Sequence, residues 1–291
     1  MEELDVKDIK EVDRLWALSQ IIVDEAWKHT YGKGAKVAIL DSGASLEHPD
    51  LKPNIKGHKD FTGSRHGAED VNGHGSHVAG IIGAVKDDKG IVGVAPEADL
   101  YIAKVLRDNN KGDFQAVIEA IEWAIELDVD IITMSLGAKV KVPELLHYTI
   151  RKAYREGIIL LAAAGNKNDE VSYPAAYPEV IAVSAVDKSS ERAEFSNFGI
   201  SNEISAPGVD ILSTYKNKGY AVLSGTSMAT PIVSGAVALF VSYYKSLNDG
   251  ERPCTSKTRR FIHRSIESKA DRKRDDAYGE GVISLENFEE T

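Results

Sequence analysis

Short apolar runs rich in β-branched residues alternate along this chain with segments of helical periodicity, and that alternation constrains the fold most. Strands are predicted at residues 36–41, 100–106, 130–135, 157–164 and 180–185, and helices at 113–127, 143–156 and 226–244. Continuous apolar strands interleaved with helices are typical of a mostly parallel sheet that helices cover on both faces. The pattern therefore predicts a three-layer α/β/α fold, in which ligands bind at the carboxyl ends of the strands.

Net charge and cysteine content indicate which binding partners and which redox compartment suit this protein. The 291 residues carry a formal net charge of −10, which disfavours nucleic acid and anionic membranes as partners. Basic residues cluster at 259–260 and 269–274, but acidic residues surround them, and we interpret that segment as a solvated helix face. The single cysteine, Cys254, excludes an intrachain disulfide and fits a reducing compartment.

The N-terminus and the hydropathy pattern predict a soluble, cytoplasmic protein. The sequence opens with the acidic segment MEELDVKDIKEVDRL, which lacks the apolar core of a signal peptide. No apolar run approaches the roughly 20 residues that a transmembrane helix needs. We expect residues 1–17 to form a short N-terminal extension and residues 18–291 to form a single domain.

Two side chains with acid–base chemistry follow the first of these strands. Asp41 closes the apolar run VAIL at the carboxyl edge of the sheet, although a turn or cap role is the alternative. His74 lies in NGHGSHVAG, where flanking glycines leave the imidazole accessible at a predicted helix start. His74 and His77 also have a spacing that suits a metal, but no third zinc ligand pattern accompanies them. We predict a catalytic base at His74 and a structural role for His77.

A serine occupies the predicted start of the last of these helices. Ser227 lies in GTSMATP, ahead of a run of small residues. A helix N-terminus offers a free backbone N–H and the positive end of the helix dipole, which can stabilise an oxyanion. The alternative is that Thr226 or Ser227 simply caps the helix.

Asp41, His74 and Ser227 follow one another in the chain order of the subtilisin triad. The sequence closely resembles the subtilisin family from about Leu18 to Leu285, and most resembles bacterial intracellular subtilisins. The resemblance implies a subtilisin-like α/β/α fold and a serine endopeptidase. It rests on DSG at Asp41, HPDL at His48, NGHGSHVAG, GVAPEA at Gly93, SLG at Ser135, AAAGN at Ala162, SYPAAYP at Ser172, APG at Ala206, GTSMATP, and YGEG at Tyr278.

The resemblance assigns catalytic roles. His74 would take the proton from Ser227 as it attacks the scissile carbonyl, and would pass it to the leaving amine. Asp41 would orient the imidazole and stabilise its charged form. The oxyanion would be held by the Ser227 backbone N–H and the side-chain amide of Asn166, with Thr226 contributing.

The resemblance also implies that a protein or peptide substrate binds as an extended strand. Ser135, Leu136 and Gly137 would form one edge of the cleft, and the Lys111–Gly112 region the other. Phe114 would line the fourth pocket before the cut, with core packing as the alternative. Ala163, Gly165 and Ser172 would border the first pocket, which has room for apolar side chains. Lys167 stands where relatives often carry Glu, which predicts a shift toward acidic or neutral residues.

A structural Ca²⁺ ion is implied by resemblance alone. Asp50 and Asp87 would supply carboxylates, and the loop after residue 84 would supply the carbonyls of Val85, Lys89 and Ile91. A weaker second site would use Glu203 with the carbonyls of Ala175, Tyr177 and Val180. The alternative is that these acidic residues belong to solvated loops.

Three functions remain open at this point. The first is an intracellular endopeptidase with fairly broad preference for apolar residues before the cut. The second is a dedicated maturation or leader peptidase, and the third is a non-catalytic peptide-binding protein on the same fold. The sequence leaves open whether the protein forms a homodimer.

Overall fold

The computed structural model describes residues 3–4, 11–87, 89–139, 142–267 and 274–290. The helices are α1 (Glu11–Gln20), α2 (Val23–Trp27), α3 (His74–Gly83), α4 (Phe114–Glu126), α5 (Glu144–Arg155), α6 (Thr226–Leu247) and α7 (Thr255–Arg264). The strands are β1 (Glu3–Leu4), β2 (Lys36–Asp41), β3 (Ile55–Asp60), β4 (Asp99–Lys104), β5 (Ile131–Met134), β6 (Ile159–Ala163), β7 (Val180–Val186), β8 (Asn202–Pro207), β9 (Ile211–Thr214) and β10 (Tyr220–Leu223).

A seven-stranded parallel sheet lies at the centre, in the order β3-β4-β2-β5-β6-β7-β8. After β2 the chain forms β3 and β4 on one side of β2, and it then crosses over to form β5 on the other side of β2. Strand order therefore reverses at β2, and such a switch point opens a crevice at the carboxyl end of the sheet. Asp41 is the last residue of β2 and lies at that crevice.

Helices cover both faces of this sheet, as the apolar strands predict. Val37 and Ile39 belong to a core cluster with α3 and α6, whereas Ala38 and Leu40 belong to a second cluster with α4 and α5. All four side chains are fully buried. Successive residues of a strand point to opposite faces, so β2 contributes to both layers of the core. The predicted three-layer α/β/α fold is confirmed.

The five predicted strands and three predicted helices all occur, with ends displaced by up to three residues. Within the part of the chain that the structure describes, the prediction missed five strands, β1, β3, β8, β9 and β10, and the helices α1 and α2. The sequence of β3, IKGHKD, is half-exposed at the edge of the sheet and therefore lacks the apolar run that marks a central strand. Of the basic clusters, Arg259 and Arg260 lie on α7, and residues 269–273 fall outside the described residues.

The longest described helix, α6, is long and apolar enough to cross a membrane by length and composition, which the sequence analysis did not anticipate. Most of its residues are buried against the sheet, so here it serves as a core helix. Outside the main sheet, β1 pairs antiparallel with β10, which pairs with β9. The predicted boundary between residues 17 and 18 falls inside α1.

Candidate active site

The carboxylate of Asp41 is almost fully buried at the carboxyl end of β2. Its Oδ1 accepts hydrogen bonds from the backbone N–H of Ser42 and from Nδ1 of His74, both at 2.7 Å. Because a carboxylate can only accept, Nδ1 carries the imidazole proton, and Nε2 is the basic nitrogen of the neutral ring. Asp41 therefore fixes both the tautomer and the orientation of His74.

His74 begins α3, and the two glycines beside it are required by close packing. Gly73 has φ +105°, and a Cβ there would lie 2.3 Å from the ring of Tyr215. A Cβ on Gly75 would lie 2.1 Å from the carbonyl oxygen of Gly43, in the turn after Asp41. The glycines thus allow the start of α3 to approach the end of β2 closely enough for the Asp41–His74 hydrogen bond.

Two opposing effects set the pKa of His74. Burial disfavours the charged imidazolium and lowers the pKa, but the charge and hydrogen bond of Asp41, with a smaller contribution from Asp70, raise it above its ordinary value. His74 is therefore protonated, and unable to accept a proton from a nucleophile, at a higher pH than an ordinary histidine.

Asp70 is a buried carboxylate that the sequence analysis missed. Its two oxygens accept five hydrogen bonds, from Ser42 Oγ, the backbone N–H groups of Asn72 and Gly73, and the N–H and Oγ of Ser76, at 2.7–3.0 Å. Ser42 Oγ in turn accepts from the N–H of Gly75 at 2.9 Å. Asp70 therefore joins the turn that follows Asp41 to the loop that carries His74.

A buried lysine supports the same turn. Lys104, the last residue of β4, is fully buried, and its Nζ donates to the carbonyls of Ser42 at 2.7 Å and Glu69 at 3.2 Å. Nζ also pairs with Asp108 at 3.1 Å, so the buried charge is compensated. The sequence signal for this role was weak, a single lysine inside the otherwise apolar run of residues 100–106.

Ser227 is the second residue of α6, and the helix is capped by Gly225 rather than by a Thr226 or Ser227 side chain. Its Oγ donates to the carbonyl of Ser135 at 3.1 Å, and Ser135 Oγ donates back to the carbonyl of Ser227 at 2.9 Å. Ser227 and His74 line one cleft. In this structure the hydroxyl is bonded to Ser135 rather than to His74.

The side chain of Asn166 is held through its oxygen, and its amide nitrogen makes no hydrogen bond to the residues that the structure describes. Asn166 Oδ1 accepts from the backbone N–H of Thr226 and from Thr226 Oγ1, both at 2.9 Å. An amide nitrogen cannot accept from the Thr226 N–H, so these contacts fix the amide orientation. The Nδ2 donors are left for the cleft, beside the helix N-terminus that holds Ser227.

All of the residues predicted to contact substrate line the same cleft. The Ser135–Gly137 segment lies against Ser172 and Tyr173, since a Cβ on Gly137 would be 3.2 Å from the Tyr173 carbonyl oxygen. Phe114 lines the cleft and also packs against the core, and its place in the fourth pocket before the cut stays a prediction. Several apolar residues that line the cleft were not predicted from the sequence, namely Leu106, Val117, Leu146, Leu223 and Met228.

His77 is fully buried and points away from His74. Its Nε2 lies 3.0 Å from the carbonyl oxygens of both Ile211 and Ala221, to which it donates. Burial lowers the pKa of His77 to about 3, so the ring is neutral. Since Nε2 carries the proton and ties α3 to β9 and β10, this geometry favours the structural role over a shared metal site.

Residues 85–91, apart from the undescribed residue 88, wrap around Asp50. The Val85 N–H donates to the Asp50 carbonyl at 2.9 Å, and the Ile91 N–H donates to Asp50 Oδ2 at 3.0 Å. A Cβ on Gly90 would lie 2.1 Å from Asp50 Oδ2, so the loop closes tightly over this buried carboxylate. The carboxylate also accepts from the Tyr220 hydroxyl at 2.9 Å, so the groups that contact it in this structure are N–H and O–H donors. Ca²⁺ binding by the carbonyls of this loop therefore stays a prediction.

The carboxylate expected at the second calcium site is already paired with side chains of the protein. The carboxylate of Glu203 pairs with His263 at 3.0 Å and Arg259 at 3.4 Å. Arg259 also donates to the carbonyl of Pro178 at 2.8 Å, in the segment expected to supply carbonyl ligands. Protein cations therefore already compensate Glu203, and these residues do not fit a second Ca²⁺ ion.

Comparison with known proteins adds an independent observation. The subtilase family model matches residues 32–281. The major intracellular serine protease of Bacillus subtilis (strain 168) is 47% identical over 250 residues, covering 82% of this chain and 77% of that protein. The intracellular serine protease of Paenibacillus polymyxa is 46% identical over 243 residues, covering 80% and 74% respectively. Subtilisin E of Bacillus subtilis (strain 168) is 38% identical over 279 residues, covering 93% and 70%.

Proposed function

The chain belongs to the subtilase family and is a serine endopeptidase, and from that premise we propose an intracellular enzyme of broad preference that acts through Asp41, His74 and Ser227. The observation that carries this assignment is the 2.7 Å contact between Asp41 and His74 in the cleft that Ser227 also lines. The names of the two intracellular relatives support a cytoplasmic location.

The proposed reaction assigns one task to each group. His74 Nε2 accepts the Ser227 proton as Oγ attacks the scissile carbonyl, and the protonated ring donates to the leaving amine. The resulting acyl-enzyme is hydrolysed by water in the second half of the cycle. Asn166 Nδ2 and the Ser227 backbone N–H donate to the oxyanion, and the helix N-terminus adds its dipole. The substrate lies extended between the segments at Lys111–Gly112 and Ser135–Gly137.

A proteome-derived peptide library tests the breadth of this activity. We expect cleavage at many unrelated sites, with apolar residues frequent before the cut, because the lining is mainly apolar. Mass spectrometry of the products gives the preference at each position. The Ser227→Ala protein is the control for contaminating proteases.

Two other outcomes of that experiment would reject the proposal. Cleavage confined to one extended motif would instead identify a dedicated maturation or leader peptidase. No cleavage, together with no labelling of Ser227 by a fluorophosphonate probe, would leave a peptide-binding protein on a protease fold.

We also propose that Ca²⁺ binds at Asp50 and Asp87 with the carbonyls of Val85, Lys89 and Ile91. The support is the loop closed over the Asp50 carboxylate. Bound Ca²⁺ would neutralise these carboxylates and hold the loop between α3 and β4 in place. The ion is assigned a structural role only.

We expect Ca²⁺ to raise the melting temperature relative to EDTA. A ligand that binds only the folded state adds about 2.7 kcal/mol at 100 Kd, which corresponds to several degrees for a domain of this size. Melts use Ser227→Ala protein so that self-digestion does not mimic unfolding. Mg²⁺ should substitute poorly because it demands a smaller octahedral shell.

The Ca²⁺–EDTA difference, rather than the absolute melting temperature, is compared between variants. Asp50→Ala should abolish most of that difference. Asp87→Asn provides a check at an exposed position, where loss of the charge alone has little effect on folding. Coincident melts of the parent protein in Ca²⁺, Mg²⁺ and EDTA would show that these carboxylates are ordinary loop residues.

A further inference from the structure

The cleft has the opposite charge to the molecule as a whole. The chain carries a net charge of −10. Apart from His74, the charged residues that line the cleft are Lys111, Lys139, Lys167 and Asp113. Asp113 is already engaged, because it caps α4 through the Ala116 N–H at 2.9 Å and pairs with Arg107 at 3.2 Å. The cleft therefore presents a surplus of positive charge on an acidic protein.

Two of these lysines line the cleft directly beside the segments that the family resemblance assigns to the pocket for the residue before the cut. Lys139 follows the wall formed by Ser135–Gly137, and Lys167 follows Asn166 on the facing wall. An antiparallel bridge joins Ala138, which directly follows the first wall, to Tyr173, which also lines the cleft. Lys139 Nζ pairs with Asp169 at 2.5 Å, and this ion pair connects the two walls. Both ammonium groups thus belong to the walls of one pocket.

The charges at this pocket do not balance. The hydrogen bond from Lys139 is the largest cause of the lowered pKa of Asp169, and the charge of Lys167 also contributes, so both ammonium groups act on one carboxylate. Lys139 is the ion-pair partner of Asp169, and Lys167 makes no ion pair with any residue that the structure describes. One positive charge therefore remains for a ligand.

We propose that Lys139 and Lys167 make this pocket prefer glutamate to its neutral isostere glutamine, so that acidic polypeptide segments are substrates of the enzyme in addition to sites with an apolar residue before the cut. The inference rests on the proposed endopeptidase function and names its substrate class. Leu136 and Ala163 give the methylene groups of a glutamate an apolar contact, and its carboxylate pairs with the lysines. Lysine before the cut is disfavoured by the same charges.

Four peptide p-nitroanilides test this proposal, identical except for glutamate, glutamine, methionine or lysine before the scissile bond. In the parent enzyme kcat/KM for glutamate should exceed that for glutamine and for lysine. Lys167→Gln should lower the glutamate-to-glutamine ratio about fivefold, the value of one partly exposed ion pair. Lys139→Gln should lower it too, because Asp169 is then left to pair with Lys167. In 1 M NaCl, where the Debye length is about 3 Å, the parent ratio should fall toward that of the variants.

A ratio measured on one enzyme sample does not depend on the fraction that is folded, so partial misfolding cannot produce the expected result. The control is Lys28→Gln, which removes one charge at an exposed site outside the cleft and should leave the ratio unchanged. A parent enzyme that prefers glutamine to glutamate, or a ratio unaffected by Lys167→Gln, would overturn the inference while cleavage of the methionine peptide upholds the endopeptidase. Failure to cleave any of the four peptides would instead count against the proposed function.

Discussion

Ser227→Ala is expected to lower kcat by about 10⁶ while leaving the fold intact, the loss found for the triad serine of a subtilisin and carried over here by family membership. Alanine offers no oxygen for attack, so no acyl-enzyme forms. The change removes one hydrogen bond to the Ser135 carbonyl and leaves the small-residue start of α6 otherwise unchanged. Single-turnover and steady-state assays with a fluorogenic peptide measure the loss, and circular dichroism monitors the fold.

The matched control for this change is Ser246→Ala, in the last turn of the same helix. Ser246 is exposed and its hydroxyl donates to the carbonyl of Tyr243, far from the cleft lining, so its replacement should leave kcat unchanged. A folded Ser227→Ala protein that keeps even a tenth of the parent activity would contradict the assignment of the nucleophile.

Asn166→Ala is expected to lower kcat by roughly 10²–10³ with little change in KM, the range known for the oxyanion-hole asparagine of a subtilisin. The Nδ2 donors act mainly on charge that develops in the transition state, so ground-state binding is largely spared. The structure holds this amide in place through Thr226, which leaves Nδ2 free toward the cleft. Steady-state kinetics with a neutral peptide substrate separate kcat from KM.

A second variant separates donation to the oxyanion from alignment of Thr226. Asn166→Asp keeps an oxygen that can accept from Thr226 but replaces the Nδ2 donors with a negatively charged oxygen. Its kcat should fall at least as far as that of Asn166→Ala. If Asn166→Asp retains most of the activity, the side chain serves to align Thr226. A large increase in KM at constant kcat would make Asn166 a ground-state binding residue.

The sequence determined the type and order of the central elements because their signals are local. The apolar runs in β2, β5, β6 and β7 are buried on both faces, and burial of this kind requires nearly continuous hydrophobic residues. The edge strand β3 alternates polar and partly buried residues and gives no such run. The short strands β9 and β10 pair with each other locally, but β9 packs on α3, a segment that is distant in the chain.

The candidate active site shows the same difference between residues with a local sequence signal and residues whose role depends on contacts between distant segments. Asp41, His74 and Ser227 stand at a strand end or a helix start, so local pattern and chain order were enough to nominate them, and the family resemblance added Asn166. Asp70 and Lys104 gave no comparable signal, because their importance depends on hydrogen bonds that appear only when β2, β4 and α3 converge. The pairing of Lys139 with Asp169, and of Arg259 with Glu203, likewise depends on distances between separate segments. Sequence alone thus nominated the groups that are proposed to do the chemistry. Packing decided the contacts that hold these groups and the surplus charge of the cleft, since the energy of an ion pair depends on separation in space rather than along the chain.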